Sequence, residues 1–101
     1  MKSLNYELTP AIIQDEKTKQ VLMLGYMNSQ ALAKTQQTGI VWFWSRRRRT
    51  LWPKGETSGN TLLVKTISTD CDDDALLISV ELKGKNVCHT GSLSCFFKNL
   101  I

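Results

Sequence analysis

The sequence predicts the α+β fold class, with a mainly antiparallel β-sheet and one short helix. Runs of β-branched and aromatic residues recur along the chain, one segment combines helix formers with capping residues, and the elements follow the order strands, helix, strands. The 101 residues, 42% hydrophobic and 22% charged, are expected to form a single domain over residues 1–101 with an ordinary globular core.

The first predicted elements are a hairpin and a helix. AIIQ (11–14) and QVLMLGYM (20–27) flank a polar stretch, as two strands joined by a loop of medium length would. Asn28 then offers a side-chain oxygen as a cap, SQALAKTQQT (29–38) is rich in helix formers, and Gly39 stands where a left-handed residue commonly ends a helix. We therefore expect one helix over residues 29–38.

Three further strands are predicted after the helix. They are IVWFWS (40–45), TLLVKTIST (61–69) and ALLISVEL (75–82), and in the last of these the apolar residues at 76, 78, 80 and 82 share one face. KGKN (83–86) is predicted to be a turn, and VCHTGSLSCFF after it carries the last two cysteines.

Residues 46–60 are predicted to form a long irregular loop, because they include Pro53, Gly55 and Gly59. Loops of this length are usually functional. The loop begins with Arg46, Arg47, Arg48 and Arg49, whose number equals the net charge of +4. One local basic patch favours a compact anionic ligand or a short stretch of nucleic acid over a long duplex surface.

The same loop contains the groups of an anion site. Its guanidinium groups, Lys54 and its backbone N–H groups can bind phosphate oxygens, and Trp42, Trp44 and Trp52 can stack on a base. Two tryptophans at strand spacing are more often core residues, and a solvated loop is the commoner explanation of an arginine run taken alone.

The sequence indicates a cytoplasmic protein without a membrane partner. The longest apolar run is far below the roughly 18 residues of a membrane span, and the N-terminal MKSLNYELTP lacks the apolar region of a secretory signal. Three cysteines, an odd number in a reducing compartment, argue against a disulfide framework. Metal binding or catalysis is the better explanation of their presence.

Cys71, Cys88 and Cys95 are candidate metal ligands. Six residues separate the last two, more than in the C-x2-C pair of a zinc ribbon, and Cys71 belongs to another element. Three thiolates leave one tetrahedral position of zinc for water, which is typical of a catalytic site. Buried or incidental thiols remain the alternative, because free cysteine is common in protein cores.

The segment TDCDDDALL (69–77) surrounds Cys71 with carboxylates. Asp70, Asp72 and Asp74 alternate, so in an extended segment they would point to one side and Cys71 to the other. Such a row repels itself unless a hard cation such as Mg²⁺ lies in it. A solvated acidic turn is the alternative, whereas an EF-hand is excluded because its Gly and terminal Glu are missing.

Three motifs resemble the phosphoribosyl-AMP cyclohydrolase family of histidine biosynthesis. FWSRRRRTLWPKGETSGN, DCDDDALL and CHTGSLSCF occur in the order and at the spacing of that family, and GYMNSQAL extends the similarity over nearly the whole chain. The resemblance implies a metal-dependent hydrolase that opens the purine ring of phosphoribosyl-AMP at its N1–C6 bond, with formimino carboxamide ribotide as the product.

The resemblance also implies the metal ligands and a homodimer. Zn²⁺ would be bound by Cys71 from one subunit and by Cys88 and Cys95 from its partner. Mg²⁺ would be bound by Asp70, Asp72 and Asp74.

Catalysis and substrate binding are expected to use the remaining motif residues. A zinc-activated hydroxide would attack C6, and His89, the only histidine, is the expected catalytic residue because imidazole titrates near neutral pH. A structural histidine that donates to a backbone carbonyl is the alternative. The expected substrate contacts are Arg46, Arg47, Arg48, Arg49, Trp52, Lys54, Glu56, Thr57, Ser58 and Gly59.

Two features depart from the family pattern, and one other class of function fits part of the sequence. SRRRRTLWPKG contains more arginine than the pattern requires, and Asp73 stands where relatives usually have glycine. A zinc-stabilised RNA- or protein-binding module could use the cysteines structurally and present aromatic and arginine side chains to a single strand. The acidic row argues against that module, because it would repel phosphates. We therefore expect a small-molecule substrate and no nucleic acid.

Overall fold

The computed structural model describes residues 8–101 as two β-sheets and one helix. The strands are β1 (Thr9–Asp15), β2 (Val21–Met27), β3 (Trp42–Ser45), β4 (Thr50–Pro53), β5 (Thr61–Thr69) and β6 (Leu76–Lys83), and helix α1 is Ser29–Thr38. One sheet has the strand order β2-β1-β6-β5, and β3 and β4 form the other. The expected α+β class is therefore confirmed.

Most strand pairs are antiparallel, as expected. Antiparallel pairing joins β1 to β2, β5 to β6 and β3 to β4, whereas β1 and β6 are parallel. The parallel pair is possible because the helix, the second sheet and β5 all lie between these two strands in the chain, which leaves ample length for a crossover.

The predicted hairpin and helix are both present. Asn28 caps α1, since its Oδ1 accepts a hydrogen bond of 2.8 Å from the Ala31 backbone N–H. At the other end, Gly39 has a φ of 76°, and its N–H donates to the Thr35 carbonyl at 3.0 Å. This left-handed conformation is the one that glycine adopts without steric cost.

The prediction of an irregular loop over residues 46–60 is wrong for its middle. Residues 46–49 form a tight turn, and Thr50–Pro53 return as strand β4 beside β3. The aromatic side chains explain the pairing, because the Phe43 and Trp52 rings pack with their centroids 5.4 Å apart. The arginines are therefore at the tip of a hairpin, and irregular structure begins only at residue 54.

The core lies on one face of the four-stranded sheet. The apolar alternation predicted for β6 is confirmed, since Leu76, Ile78 and Val80 are buried whereas Leu77 between them is exposed. Phe43 from the second sheet is 1% exposed and packs over Gly25 of β2. A Cβ at that glycine would lie 2.5 Å from two ring carbons, so the two sheets can meet only because a side chain is missing there.

Strand β5 sets the distance between the two ends of the sheet. Its nine residues span roughly 25 Å, at about 3.3 Å per residue. The acidic turn at residues 70–74 follows its last residue, and Asn60 precedes its first residue. The candidate metal ligands of this chain are divided between these two ends. No helix among residues 8–101 combines the length and apolar character that crossing a bilayer requires.

We expect Gly25→Ala to lower the free energy of unfolding by about 1–3 kcal/mol, the usual cost of overpacking a core. The added methyl group would press on the Phe43 ring. In a Phe43→Leu background, Gly25→Ala should lower the free energy of unfolding by clearly less, because the ring carbons that the new methyl group would press on are absent. Urea denaturation of the four proteins in this double-mutant cycle measures the coupling, and equal penalties in both backgrounds would contradict it.

Candidate active site

A cavity of about 320 Å³ brings together the segment after β4 and the segment after β6. Its wall contains the expected substrate contacts Arg48, Trp52, Lys54, Glu56, Thr57 and Ser58, the expected catalytic residue His89 and the expected zinc ligand Cys88. Gly59 adjoins this wall between Ser58 and Asn60. The structure thus joins most of the expected anion site to one of the expected zinc ligands.

The four arginines do not share one site. Arg46 and Arg47 line a separate groove of about 570 Å³ beside β2, where the Arg46 guanidinium lies 4.1 Å from the centre of the Tyr26 ring. Arg49 is exposed in the turn, with a left-handed φ of 55°. The larger groove is walled by no cysteine, histidine or carboxylate. Of the two spaces, the smaller cavity therefore holds the cysteine, histidine and carboxylate side chains of the candidate site.

Trp52 lies in the wall of both spaces. On the cavity side, the Arg48 guanidinium carbon is 6.0 Å and the Lys54 Nζ 5.8 Å from the centre of its indole ring. An aromatic face flanked by cations suits a flat ring that carries anionic groups.

The loop that holds Cys88 and Cys95 is fixed by a backbone hydrogen bond to β2 and by side-chain hydrogen bonds within the loop. The Cys95 N–H donates to the Leu22 carbonyl at 2.7 Å, and the Asn86 side-chain amide donates to the Cys88 carbonyl at 2.9 Å. The Thr90 hydroxyl lies 3.1 Å from the Cys88 sulfur. The Cys88 and Cys95 thiols are neighbours in this loop, since each one influences the pKa of the other.

The surroundings of the two thiols favour ionisation of Cys88 over ionisation of Cys95. The hydrogen bond from the Thr90 hydroxyl, followed by that from the Thr90 backbone, holds the pKa of the Cys88 thiol below its usual value, and Lys54 acts in the same direction. Burial, and then the neighbouring Cys88, raises the pKa of the Cys95 thiol. A thiol pair beside a cation, with one member easily ionised, fits a thiolate-binding metal such as zinc.

The acidic segment is a turn, so the expectation of an extended segment is wrong. The turn closes because the Asp70 carboxylate accepts hydrogen bonds from the backbone N–H groups of Asp74, at 3.0 Å, and Ala75, at 3.3 Å. Asp73 has a left-handed φ of 58°, a conformation that glycine would adopt without steric cost. Its carboxylate accepts a hydrogen bond from the Thr69 hydroxyl at 2.8 Å.

The turn still brings the three expected carboxylates together. Oxygen atoms of Asp70, Asp72 and Asp74 all lie within 4.8 Å of one another, and all three side chains are exposed. The hydrogen bond with the Asp70 carboxyl, followed by that with Asp72, raises the pKa of Asp74 to about 6. The same contact with Asp74 lowers the pKa of Asp70. Three convergent carboxylates that resist ionisation together fit a hard divalent cation.

The three cysteines are not brought together within one chain. Across residues 8–101, the only cluster of three potential metal ligands is the aspartate cluster. Cys71 is exposed in the acidic turn after β5, whereas Cys88 lines the cavity that also contains Asn60, which precedes β5. The length of β5 separates these positions, and thiolates that share a zinc ion lie about 2.3 Å from it.

Two asparagines near the cavity were not recognised from the sequence. The Asn60 amide donates to the Asn86 side-chain oxygen at 3.3 Å, and the Asn60 oxygen accepts from the Lys85 N–H at 3.2 Å. Together they hold the start of the cysteine loop against the end of the loop after β4. Asn60 closes the SGN motif, which is a sequence signal for this role, whereas Asn86 stands in a predicted turn that offers no such signal.

Comparisons with known proteins identify the same family. The family model described as phosphoribosyl-AMP cyclohydrolase matches residues 23–97. A phosphoribosyl-AMP cyclohydrolase of Lacticaseibacillus paracasei is 56% identical over 92 residues, which are 91% of this chain and 83% of the relative. One from Methanothrix thermoacetophila is 57% identical over 94 residues, with 93% and 77% covered.

A longer relative shows the same similarity over part of its length. The histidine biosynthesis bifunctional protein HisIE of Staphylococcus aureus is 61% identical over 89 residues, which are 88% of this chain but 42% of the relative. This chain therefore corresponds to less than half of that bifunctional protein.

We expect the affinity of the metal-depleted protein for Mg²⁺ to rise with pH. Because the pKa of Asp74 is raised to about 6, its carboxyl keeps a proton below that pH, and the cation must displace it. Affinity should be about tenfold weaker at about pH 5 than at about pH 7. Calorimetric titration at both pH values measures this, and Asp74→Asn should flatten the dependence. Equal affinities in the unmodified protein would contradict it.

Proposed function

This chain belongs to the phosphoribosyl-AMP cyclohydrolase family, and from that premise we propose how its residues open the purine ring of phosphoribosyl-AMP in histidine biosynthesis. The observation that carries the proposal is the cavity in which Cys88 and His89 face Arg48, Lys54 and Trp52. The cavity combines a thiol that can bind a metal, an imidazole that can transfer a proton, and two cations beside an aromatic ring that can bind an anion. A nucleic-acid-binding module would need no such cavity.

The donor set suits a zinc ion shared between two copies of the chain. Cys88 and Cys95 of one chain would supply two neighbouring sulfurs. Cys71 of a second copy would supply the third, because Cys71 of the same chain lies at the other end of the sheet. Zinc held by three thiolates would supply a bound water with a pKa of about 7. The homodimer is thus part of the proposed active site.

The same arrangement would bring the carboxylates to the cavity. Cys71 lies between Asp70 and Asp72, so any copy that delivers this thiol also delivers the acidic turn. The three carboxylates would hold Mg²⁺, whose charge offsets their repulsion and that of a phosphorylated substrate. Without a cation, the acidic turn and an anionic substrate would repel one another.

The substrate carries two phosphate groups, and the structure offers two cationic spaces. Arg48 and Lys54 would bind one phosphate in the cavity, while Arg46 and Arg47 would bind the other in the groove. Trp52 separates the two spaces and would stack on the purine between them. Glu56, Thr57 and Ser58 supply polar contacts for ribose at the cavity wall.

His89 is the proposed proton-transfer residue. It is exposed in the cavity wall directly after Cys88 in the chain. Its imidazole would accept a proton from the water that attacks C6 and return it to N1 as the N1–C6 bond breaks. The water oxygen would remain on C6 as the carboxamide oxygen.

We expect His89→Ala to lower kcat by about 10²- to 10⁴-fold, the usual contribution of general acid–base catalysis. Zinc content should stay unchanged, because His89 is not one of the proposed ligands. Ring opening is followed by the ultraviolet absorbance of phosphoribosyl-AMP, and metal content by atomic emission. Gln36→Ala on the exposed surface of α1 serves as the control. Full turnover by His89→Ala would remove this residue from the mechanism.

Complementation between inactive subunits tests the shared zinc site. Cys71→Ser and Cys88→Ser should each abolish activity, but refolding them together should restore about a quarter of it, because half of the dimers are mixed and each has one intact site. The control mixture is Cys88→Ser with Cys95→Ser, which damages the same half of every site. That mixture should stay inactive. Failure of the first mixture to recover would contradict a site shared between copies.

A further inference from the structure

We propose that Asn60 and Asn86 are positioning residues of the ring-opening reaction, because their side-chain amides join the loop that would bind phosphate to a proposed zinc ligand. A continuous hydrogen-bonded path runs from the Ser58 hydroxyl through both asparagines to the Cys88 carbonyl. This inference rests on the proposed function and deepens it, since it names the groups that fix the metal site relative to the substrate site.

The path consists of three hydrogen bonds. The Asn60 backbone N–H donates to the Ser58 hydroxyl at 3.2 Å, and the Asn60 side-chain amide donates to the Asn86 side-chain oxygen at 3.3 Å. The Asn86 side-chain amide then donates to the Cys88 carbonyl at 2.9 Å. The middle bond joins residues that are 26 positions apart in the chain, so the path connects two loops that are distant in sequence.

Backbone groups at both ends fix the orientation of the two amides. The Lys85 backbone N–H, which can only donate, contacts the Asn60 side-chain oxygen at 3.2 Å, so the Asn60 NH₂ group points toward Asn86. The Cys88 carbonyl can only accept, so the Asn86 NH₂ group points toward it and the Asn86 oxygen faces Asn60. Each position therefore uses a donor and an acceptor on one planar group, which aspartate and alanine cannot supply.

Two glycines make room for Asn60. A Cβ at Gly84, where φ is 139°, would collide with the Asn60 side-chain oxygen, and a Cβ at Gly55 would lie 2.5 Å from the Asn60 carbonyl oxygen. Both asparagines are half-buried, which strengthens their hydrogen bonds relative to bonds at the open surface. The close approach of two backbone segments therefore holds this amide in one position.

The path fixes one end of the cysteine loop, and β2 fixes the other. The Cys95 N–H donates to the Leu22 carbonyl at 2.7 Å, so this residue is held against the four-stranded sheet. The Cys88 carbonyl instead accepts from Asn86, which is bonded to the end of the segment 54–60. The two thiols of the proposed half-site thus depend on different parts of the fold, and loss of the path would loosen only the Cys88 end.

Holding Cys88 against the segment 54–60 would hold the metal against the substrate. That segment supplies Lys54 and the polar groups expected to contact substrate at the cavity wall. The hydrogen-bond partners of metal ligands typically contribute about 10- to 100-fold to metal affinity or activity. Asn60 and Asn86 also line the cavity, so direct contact with substrate is the alternative role, and that role would leave metal binding unchanged.

The zinc affinity of the full chain, measured without substrate by competition with a chromophoric chelator, tests the path. Asn86→Ala should weaken zinc binding about 10- to 100-fold. Asn60→Ala should weaken it too, although Asn60 bonds to Asn86 and Lys85 rather than to a cysteine. The double variant should bind zinc no more weakly than Asn86→Ala, because both changes remove the same path. Asn99→Ala, the same change at an exposed position, should leave zinc affinity unchanged.

A second control separates positioning from a general loss of stability. Thr35→Val removes a buried hydroxyl that accepts a hydrogen bond of 3.0 Å from the Trp42 N–H, outside the cavity wall. This variant should unfold at a lower temperature but keep its zinc affinity. At saturating zinc, Asn60→Ala and Asn86→Ala should each lower kcat for phosphoribosyl-AMP by about 10- to 100-fold.

Unchanged zinc affinity in both asparagine variants would overturn the positioning role. A higher KM with unchanged kcat and zinc affinity would overturn it in favour of direct substrate contact. Ring opening absent from the unmodified protein, with the loss of zinc affinity still seen in the variants, would overturn the proposed function and support the path. An unmodified protein that binds no zinc would overturn both.

Discussion

The length of β5 is the constraint on which the proposed active site depends. Its nine residues hold Cys71 at one end of the sheet and leave the loop with Cys88 and Cys95 at the other. Zinc–sulfur bonds of about 2.3 Å leave no freedom to bridge a strand roughly 25 Å long. Because eight of its nine residues pair with β6, the strand cannot bend enough to bring the thiols together. In the proposed zinc site, the third thiolate therefore comes from a second copy.

The charge distribution follows the same division. The carboxylates converge at one end of the sheet, where Asp70 closes the turn and the pKa of Asp74 is raised to about 6. The cations Arg48 and Lys54 lie at the other end, beside a thiol whose pKa is lowered. Each end of an isolated chain carries an excess of one sign. Pairing two copies end to end would neutralise both excesses, and it would do so at the two proposed active sites.

The second sheet shapes the substrate side of the molecule. Phe43 packs where Gly25 has no side chain, and this contact holds the β3–β4 hairpin against β2. The hairpin then directs Trp52 between the groove and the cavity and distributes the arginines between them. A phosphorylated purine with a phosphate on each ribose would match two cationic spaces that share one aromatic wall. The arginine run is thus divided between the two spaces, since Arg47 lines the groove whereas Arg48 lines the cavity.

The sequence by itself determined the elements whose signals are local. The signals for the strands, for the Asn28 cap and for the Gly39 helix end lie in neighbouring residues. The sequence therefore predicts the hairpin, the helix and the alternation of β6 directly. The family is recognisable from three motifs. Only the tertiary structure decided the rest. The β4 strand depends on aromatic packing against β3, the convergence of the carboxylates depends on a hydrogen-bonded turn, and the separation of the thiols depends on sheet pairing. These are contacts between residues that sequence spacing does not relate, and the free energy that selects them comes from packing and hydrogen bonding across the fold.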